Sequence, residues 1–177
     1  MSVEDGIKRN QALLAYEPGK VRLFVPLKAL KATHHLLRLA GRRESGVMWY
    51  GNKDGRGDGS VCYVVAPKQE MRWGNYRVSA EALAEAAHRV PEGCKPLAQV
   101  HSHPGKWVEH STYDDEMVSS HRILSLVFPF YGRNSRGFLQ GVGVHEWQNG
   151  YWHLLNSEMA KNRICPTDGE VCVEDLR

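Results

Sequence analysis

The chain has 177 residues, enough for one ordinary domain that buries about 70% of its unfolded-chain surface, so stability requires neither disulfides nor repeats. An apolar share of 42% with a charged share of 24% matches soluble globular proteins and excludes wholesale disorder. A formal net charge of +3 is too small to define a partner. Cys62, Cys94, Cys165 and Cys172 form no CxxC pair. The start MSVEDGIKRN is polar and acid-containing, and no apolar run approaches the ~20 residues of a membrane span. The expectation is therefore a soluble protein in a reducing, cytoplasmic compartment.

Along the chain, residues 1–19 read as a polar N-terminal extension with a short helical patch around Gln11 to Tyr16, and residues 20–158 as one domain. Val21 to Val25 reads as a strand, and Leu27 to Ala40 has apolar residues at helical spacing before Gly41. Val47 to Tyr50 and Val61 to Ala66 read as strands joined by the glycine-rich connection Asn52 to Ser60. Ser79 is placed to cap a helix through Arg89. Leu97 to His103 is the next strand, ended by Pro104, which cannot donate to a ladder. Ser111 opens a helix predicted through Leu124. Ser125 to Pro129 and Gly141 to Trp147 are strands, and Asn149-Gly150 is a two-residue turn into Tyr151 to Leu155. Residues 159–177 read as a C-terminal tail, acidic and peripheral after Pro166. The order is mixed α/β with several antiparallel hairpins.

Charge is uneven within that order. Residues 18–43 contain Lys20, Arg22, Lys28, Lys31, Arg38, Arg42 and Arg43 and no Asp or Glu, which makes either a solvated helix face or a docking surface for an acidic partner or nucleic acid.

The chemistry concentrates between Gln99 and Asp114. His101 and His103 stand at i and i+2 of a predicted strand, so both side chains point to one face. Neutral imidazoles at that spacing can take adjacent corners of a zinc tetrahedron when a third ligand arrives from another element. Asp114 is the candidate third ligand. Ser111-Thr-Tyr-Asp114 also has the form of a helix start, in which a capping serine and an acid at the third helical position need no metal.

These residues together resemble the JAMM metalloproteases of the JAB1/MPN superfamily. The motif there is an upstream glutamate, then H-x-H-P, six residues, and S-x-x-D; this chain has Glu44-Ser-Gly46, His101-Ser-His103-Pro104, Gly105 to His110, and Ser111-Thr-Tyr-Asp114. The resemblance covers about residues 20 to 156 and looks like the shorter prokaryotic members associated with ubiquitin-like systems, a setting that includes antiviral defence clusters. It implies an α+β fold with a curved, mostly antiparallel β-sheet flanked by helices, layered like the cytidine deaminases. It also implies one Zn2+ held by His101, His103 and Asp114, with Glu44 as acid/base and Ser111 helping to hold the developing oxyanion. Trp107 is a candidate to cover an extended substrate tail, or a packing residue. The expected partners are a ubiquitin-like protein, its conjugates, and its E1-like and E2-like enzymes. The connections Lys68 to Tyr76 and Phe130 to Phe138 fall where members of the family vary.

Three alternatives stay open at this level: a small-substrate hydrolase acting on a sulfur-carrier protein, a non-catalytic MPN scaffold, and a DNA-linked branch. That branch usually has Asn between its histidines, where this chain has Ser102, so nucleic acid is not the expected partner. His34, His35, His88, His110, His121, His145 and His153 complete no second metal motif and read as surface or packing residues; a turn at Asn149-Gly150 sets His153 opposite Glu146 rather than His145. Asp54 to Gly59 lacks the oxygen ligands of a calcium loop at Arg56 and Val65.

Overall fold

A computed structural model describes residues 9–133 and 137–177. Strand β1 (Leu23–Pro26) runs directly into helix α1 (Leu27–Leu39). Its buried residues Ala29, Leu30, Thr33, His34, Leu36 and Leu37 fall at helical spacing and turn one stripe onto the sheet. Strands β2 (Gly46–Lys53) and β3 (Gly59–Ala66) form the expected hairpin. A small ladder, β4 (Glu70–Met71) with β5 (Tyr76–Arg77), precedes helix α2 (Ala80–Arg89), whose cap is Ser79, accepting the N–H of Ala82. Then follow β6 (Lys95–Ser102), α3 (Thr112–Met117), β7 (Leu124–Phe128), a 3-10 turn at Phe130–Gly132, β8 (Gly143–Gln148), β9 (Tyr151–Leu154) and α4 (Ser157–Arg163). Strands β10 (Ile164–Thr167) and β11 (Cys172–Asp175) end the chain. Among the described residues no helix is long and apolar enough to cross a membrane.

The main sheet is curled and runs β10-β1-β3-β2-β6-β7-β8-β9, with β11 on the same edge of β3 as β1. One face packs Leu37, Val47, Trp49, Val64, Val100 and Phe128 in the core shared with α1. On the other, Met48, Tyr50, Val65 and Trp152 pack with Ala86 of α2. Trp49 ties strand to helix by donating from Nε1 to Thr33 at 2.8 Å.

Four expectations are corrected. The sheet is mixed rather than mostly antiparallel: β1/β10, β1/β3, β11/β3 and β6/β7 pair parallel. The crossover through α3 returns the chain alongside β6 in the same direction, which a hairpin cannot do. Helix α3 stops at Met117 rather than Leu124, because Val118 leaves the helical region (ψ 121) and the next backbone N–H, that of Ser119, is captured by Gln99 Oε1 at 3.0 Å. The tail after Pro166 is part of the sheet, since β11 pairs parallel with β3, and just before it β10 buries Ile164, which is 1% exposed. Ile164→Ala is expected to cost about 2–5 kcal/mol, the range for truncating a buried aliphatic side chain. Denaturant unfolding measures it, and a shift under about 0.5 kcal/mol would return residues 164–177 to the status of a loose tail.

No helix forms at Gln11 to Tyr16. This segment lies as an arm along the β8/β9 hairpin: Tyr16 Oη donates to Glu146 at 2.6 Å, and Glu17 and Gln148 exchange hydrogen bonds at 2.8 and 2.9 Å.

Candidate metal centre

The β2/β6 register places Gly46 opposite His101, and the Ser102 N–H extends the ladder by donating to the Ser45 carbonyl at 3.1 Å. The residue just before, Glu44, therefore arrives beside His103, the first residue past β6. Parallel pairing with β7 fixes the other side of β6, ending in His103 N–H to the Phe128 carbonyl at 2.9 Å. Pro104 stops the strand, and the loop to Ser111 brings the first turn of α3 back over the strand end.

His101, His103 and Asp114 meet there. Their ligand atoms lie within 4.8 Å of one another, and the group can hold a metal ion. The two Nε2 atoms are 3.1 Å apart, and each is 3.3 Å from one Asp114 oxygen, Oδ1 for His101 and Oδ2 for His103. His103 Nδ1 lies 3.0 Å from the Trp107 carbonyl. A carbonyl only accepts, so Nδ1 carries the proton, which leaves Nε2 as the ring nitrogen that could ligate a metal when the imidazole is neutral. Tyr76 stacks on His101, ring centroids 5.4 Å apart. Gly46 leaves room for that ring, because a Cβ there would sit 2.4 Å from it.

Ser111 and Asp114 also form the capping box. The Ser111 N–H and hydroxyl both donate to Asp114 Oδ2, at 2.7 and 2.8 Å, and the Asp114 N–H donates to Ser111 Oγ at 3.1 Å. The two sequence readings of Asp114 are thus compatible: the cap clamps Oδ2 and aims the carboxylate at the imidazoles. The Ser111 hydroxyl is committed to this cap, and an oxyanion contact requires it to rotate away from Asp114.

Electrostatics follow from burial. Asp114 is 5% exposed, yet its carboxyl is held well below the usual range: desolvation pushes it up, and the charges and hydrogen bonds of His101 and His103 more than offset this. His101 is lowered by burial, with Asp114 pulling the other way; at His103 the same contest is won by Asp114 and the pKa rises. Glu44, 4% exposed, is pushed up to about 8 by desolvation, with His103 lowering it and Asp114 raising it. Trp107 is half exposed, its side chain free of the core and Lys106 Nζ 4.9 Å above its ring.

The motif reading omitted a second layer. His110, expected as a surface or packing residue, is buried 2.8 Å from Asp115 through Nδ1 and 2.8 Å from Ser125 through Nε2. Arg9 donates to the other Asp115 oxygen at 2.7 Å and to the Trp152 carbonyl at 2.9 Å. His145 is buried and stacks on His110 at 3.8 Å. The DGRGDG loop is a turn organised by Asp54, which accepts from Arg56 and Asp58 N–H groups.

Fold and site together define a mixed α/β chain with a buried His-His-Asp group at one end of its sheet. No protein-family model matches this chain, and no curated protein matches it. Among solved structures it is similar to the solution structure of protein DSY2949 from Desulfitobacterium hafniense, with TM-score 0.65 and 14% identity, over 84% of this chain and 94% of that one. At that identity the likeness speaks for the fold alone.

Proposed function

We propose that the chain is a JAMM-type zinc hydrolase that cleaves a peptide or isopeptide bond after the C-terminal glycine of a ubiquitin-like protein. The observation that carries this reading is the buried Glu44 carboxyl beside the His101, His103 and Asp114 cluster: an acid with no Lys or Arg salt bridge among the described residues, set next to donors able to hold a metal. The donor set suits zinc. Bonds of about 2.0–2.1 Å separate the ligand atoms of a tetrahedral site by about 3.3–3.4 Å, and the separations here are 3.1 and 3.3 Å. Two nitrogens and one carboxylate oxygen leave a fourth position free, as catalytic zinc sites do.

Zinc held there supplies a Lewis acid and lowers the pKa of bound water to about 7. The remaining work falls to protein groups. Glu44 takes the proton from the attacking water and returns it to the leaving amine, a role that suits a carboxyl raised toward neutrality. Ser111, on rotating out of its cap, donates to the carbonyl oxygen as charge develops. The Trp107 carbonyl holds the His103 tautomer, and its exposed ring stands where a substrate tail passes.

Elemental analysis of wild type and His103→Ala, run beside cleavage of a ubiquitin-like fusion, tests the reading. One equivalent of zinc in wild type, loss of zinc in His103→Ala, and cleavage by wild type only are expected. Wild type that takes up no zinc on reconstitution would end the hydrolase reading.

A further inference from the structure

Three loops meet around the candidate centre, and each shows an exposed aromatic ring. Trp73, at the tip of the β4/β5 hairpin, is 56% exposed; Trp107, in the loop after the HxH strand, 52%; and Phe130, in the 3-10 turn, 44%. Hydrogen bonds link the loops to one another and to the site. The hairpin accepts the Glu44 N–H at the Arg72 carbonyl (2.7 Å), and Tyr131 Oη donates to the Trp73 carbonyl at 3.2 Å. The turn donates from Phe130 to Gly105 at 2.9 Å and from Tyr131 to His103 at 2.8 Å.

The turn is also strained. Phe130 and Tyr131 are consecutive non-glycine residues at φ 53 and 54, a conformation costing about 1–3 kcal/mol each that persists where the surroundings enforce it. Tyr131 is buried, so its ring repays the strain through packing. Phe130 leaves its ring 44% exposed at the same backbone strain, and a ring held this way fits a contact made with something outside the chain.

The charge around these rings is mostly positive, with Arg72 3.8 Å from Glu70. Arg42, Arg43, Arg72, Lys106 and Arg133 are exposed on the same loops and on the segment leading into Glu44, against the flanking acids Glu70 and Glu109. Arg42 and Arg133 both lie close enough to Tyr131 to lower its hydroxyl, beneath the larger upward effect of burial. Glu44 and Asp114 are buried and directed at the centre, so they do not neutralise the rim.

We propose that this rim binds an extended peptide segment rich in Asp and Glu and carrying apolar residues between them, and that it delivers that segment to Glu44. The inference rests on the hydrolase reading for its purpose and names the substrate class of the same site. A single-stranded nucleic acid is the competing occupant of a basic, aromatic surface. Against it, Lys106 already lies over Trp107. A ring flanked by an ammonium suits an acidic side chain better than a stacked base.

Fluorescence anisotropy on zinc-loaded Glu44→Gln protein tests this with labelled acidic and basic peptides of equal length and a poly-dT oligonucleotide matched in charge to the acidic one. The acidic peptide is expected to bind about tenfold more tightly than the basic one at low salt, with the preference lost at ~300 mM salt and in Arg72→Glu/Arg133→Glu. Trp73→Ala is expected to weaken both peptides. Equal binding of the two peptides, binding of neither, or tighter binding of the oligonucleotide would overturn the proposal. Anisotropy needs no turnover and can be repeated without zinc, so absent cleavage or zinc uptake sinks the hydrolase reading while leaving this comparison readable.

Discussion

Glu44→Gln is expected to keep one equivalent of zinc and to lose about 10²–10⁴-fold in the rate of single-turnover cleavage, the usual contribution of a positioned general acid/base. The amide has nearly the shape of the carboxyl, is not among the three proposed ligands, and cannot carry the proton. A variant within tenfold of wild type would remove Glu44 from the mechanism. The same substitution has a second signature in the metal-free protein. The folded pKa of Glu44, about 8, stands above its ordinary 4.5 because burial disfavours the carboxylate. A raised pKa means that the folded state favours the neutral acid: this stabilisation is fully present below about pH 4.5 and is lost as pH rises through about 8. Glutamine does not titrate. The stability of Glu44→Gln relative to wild type is therefore expected to climb across that window, at no more than about 1.4 kcal/mol per pH unit, and to level off above it. Urea titrations of both proteins at several pH values read the difference directly, and a flat difference would mean that Glu44 is not desolvated.

How much of this site could be read from the sequence depends on how far apart its parts lie along the chain. His101 and His103 follow from strand periodicity alone, and the β8/β9 register is as the Asn149-Gly150 turn implied, with His153 opposite Glu146. Both residues of that turn have positive φ, 52 and 78, as a tight hairpin turn demands. Ser111 and Asp114 were legible as a cap, and the capping geometry also aims the Asp114 carboxylate at the imidazoles of a group that could hold a metal. Glu44 was legible only through the motif: its own neighbours, Arg42 and Arg43, suggest a surface ion pair, and it is the β2/β6 register that buries it. What could not be read is long-range and parallel. Ile164 pairs with Leu23 and Cys172 with Tyr63, and no turn chemistry announces such contacts. Helix α3 looked longer because its apolar spacing continues past Val118, while the side chain that ends it, Gln99, belongs to another strand.

His110→Ala is expected to destabilise the protein by about 3–5 kcal/mol and to weaken zinc binding by about tenfold. The ring is buried and kept neutral: desolvation holds it well below its usual pKa, with His101 adding to the effect. A neutral imidazole has one donor and one acceptor, so Nδ1–H donates to Asp115 and Nε2 accepts from the Ser125 hydroxyl, itself 0% exposed. Truncation leaves that hydroxyl without its acceptor, opens a void against the stacked His145, and leaves Asp115 with Arg9 alone. These losses sit immediately before Ser111, the cap that aims Asp114, so a packing defect should appear as a metal defect. The two effects separate experimentally. Arg9→Ala removes the arm's contact with Asp115 without creating a cavity in the core, so it is expected to weaken zinc while costing less stability than His110→Ala. Zinc competition against a chromophoric chelator, paired with urea unfolding of both variants, decides the matter. Unchanged zinc affinity in both would mean that the network braces the core and has no hold on the ligand set.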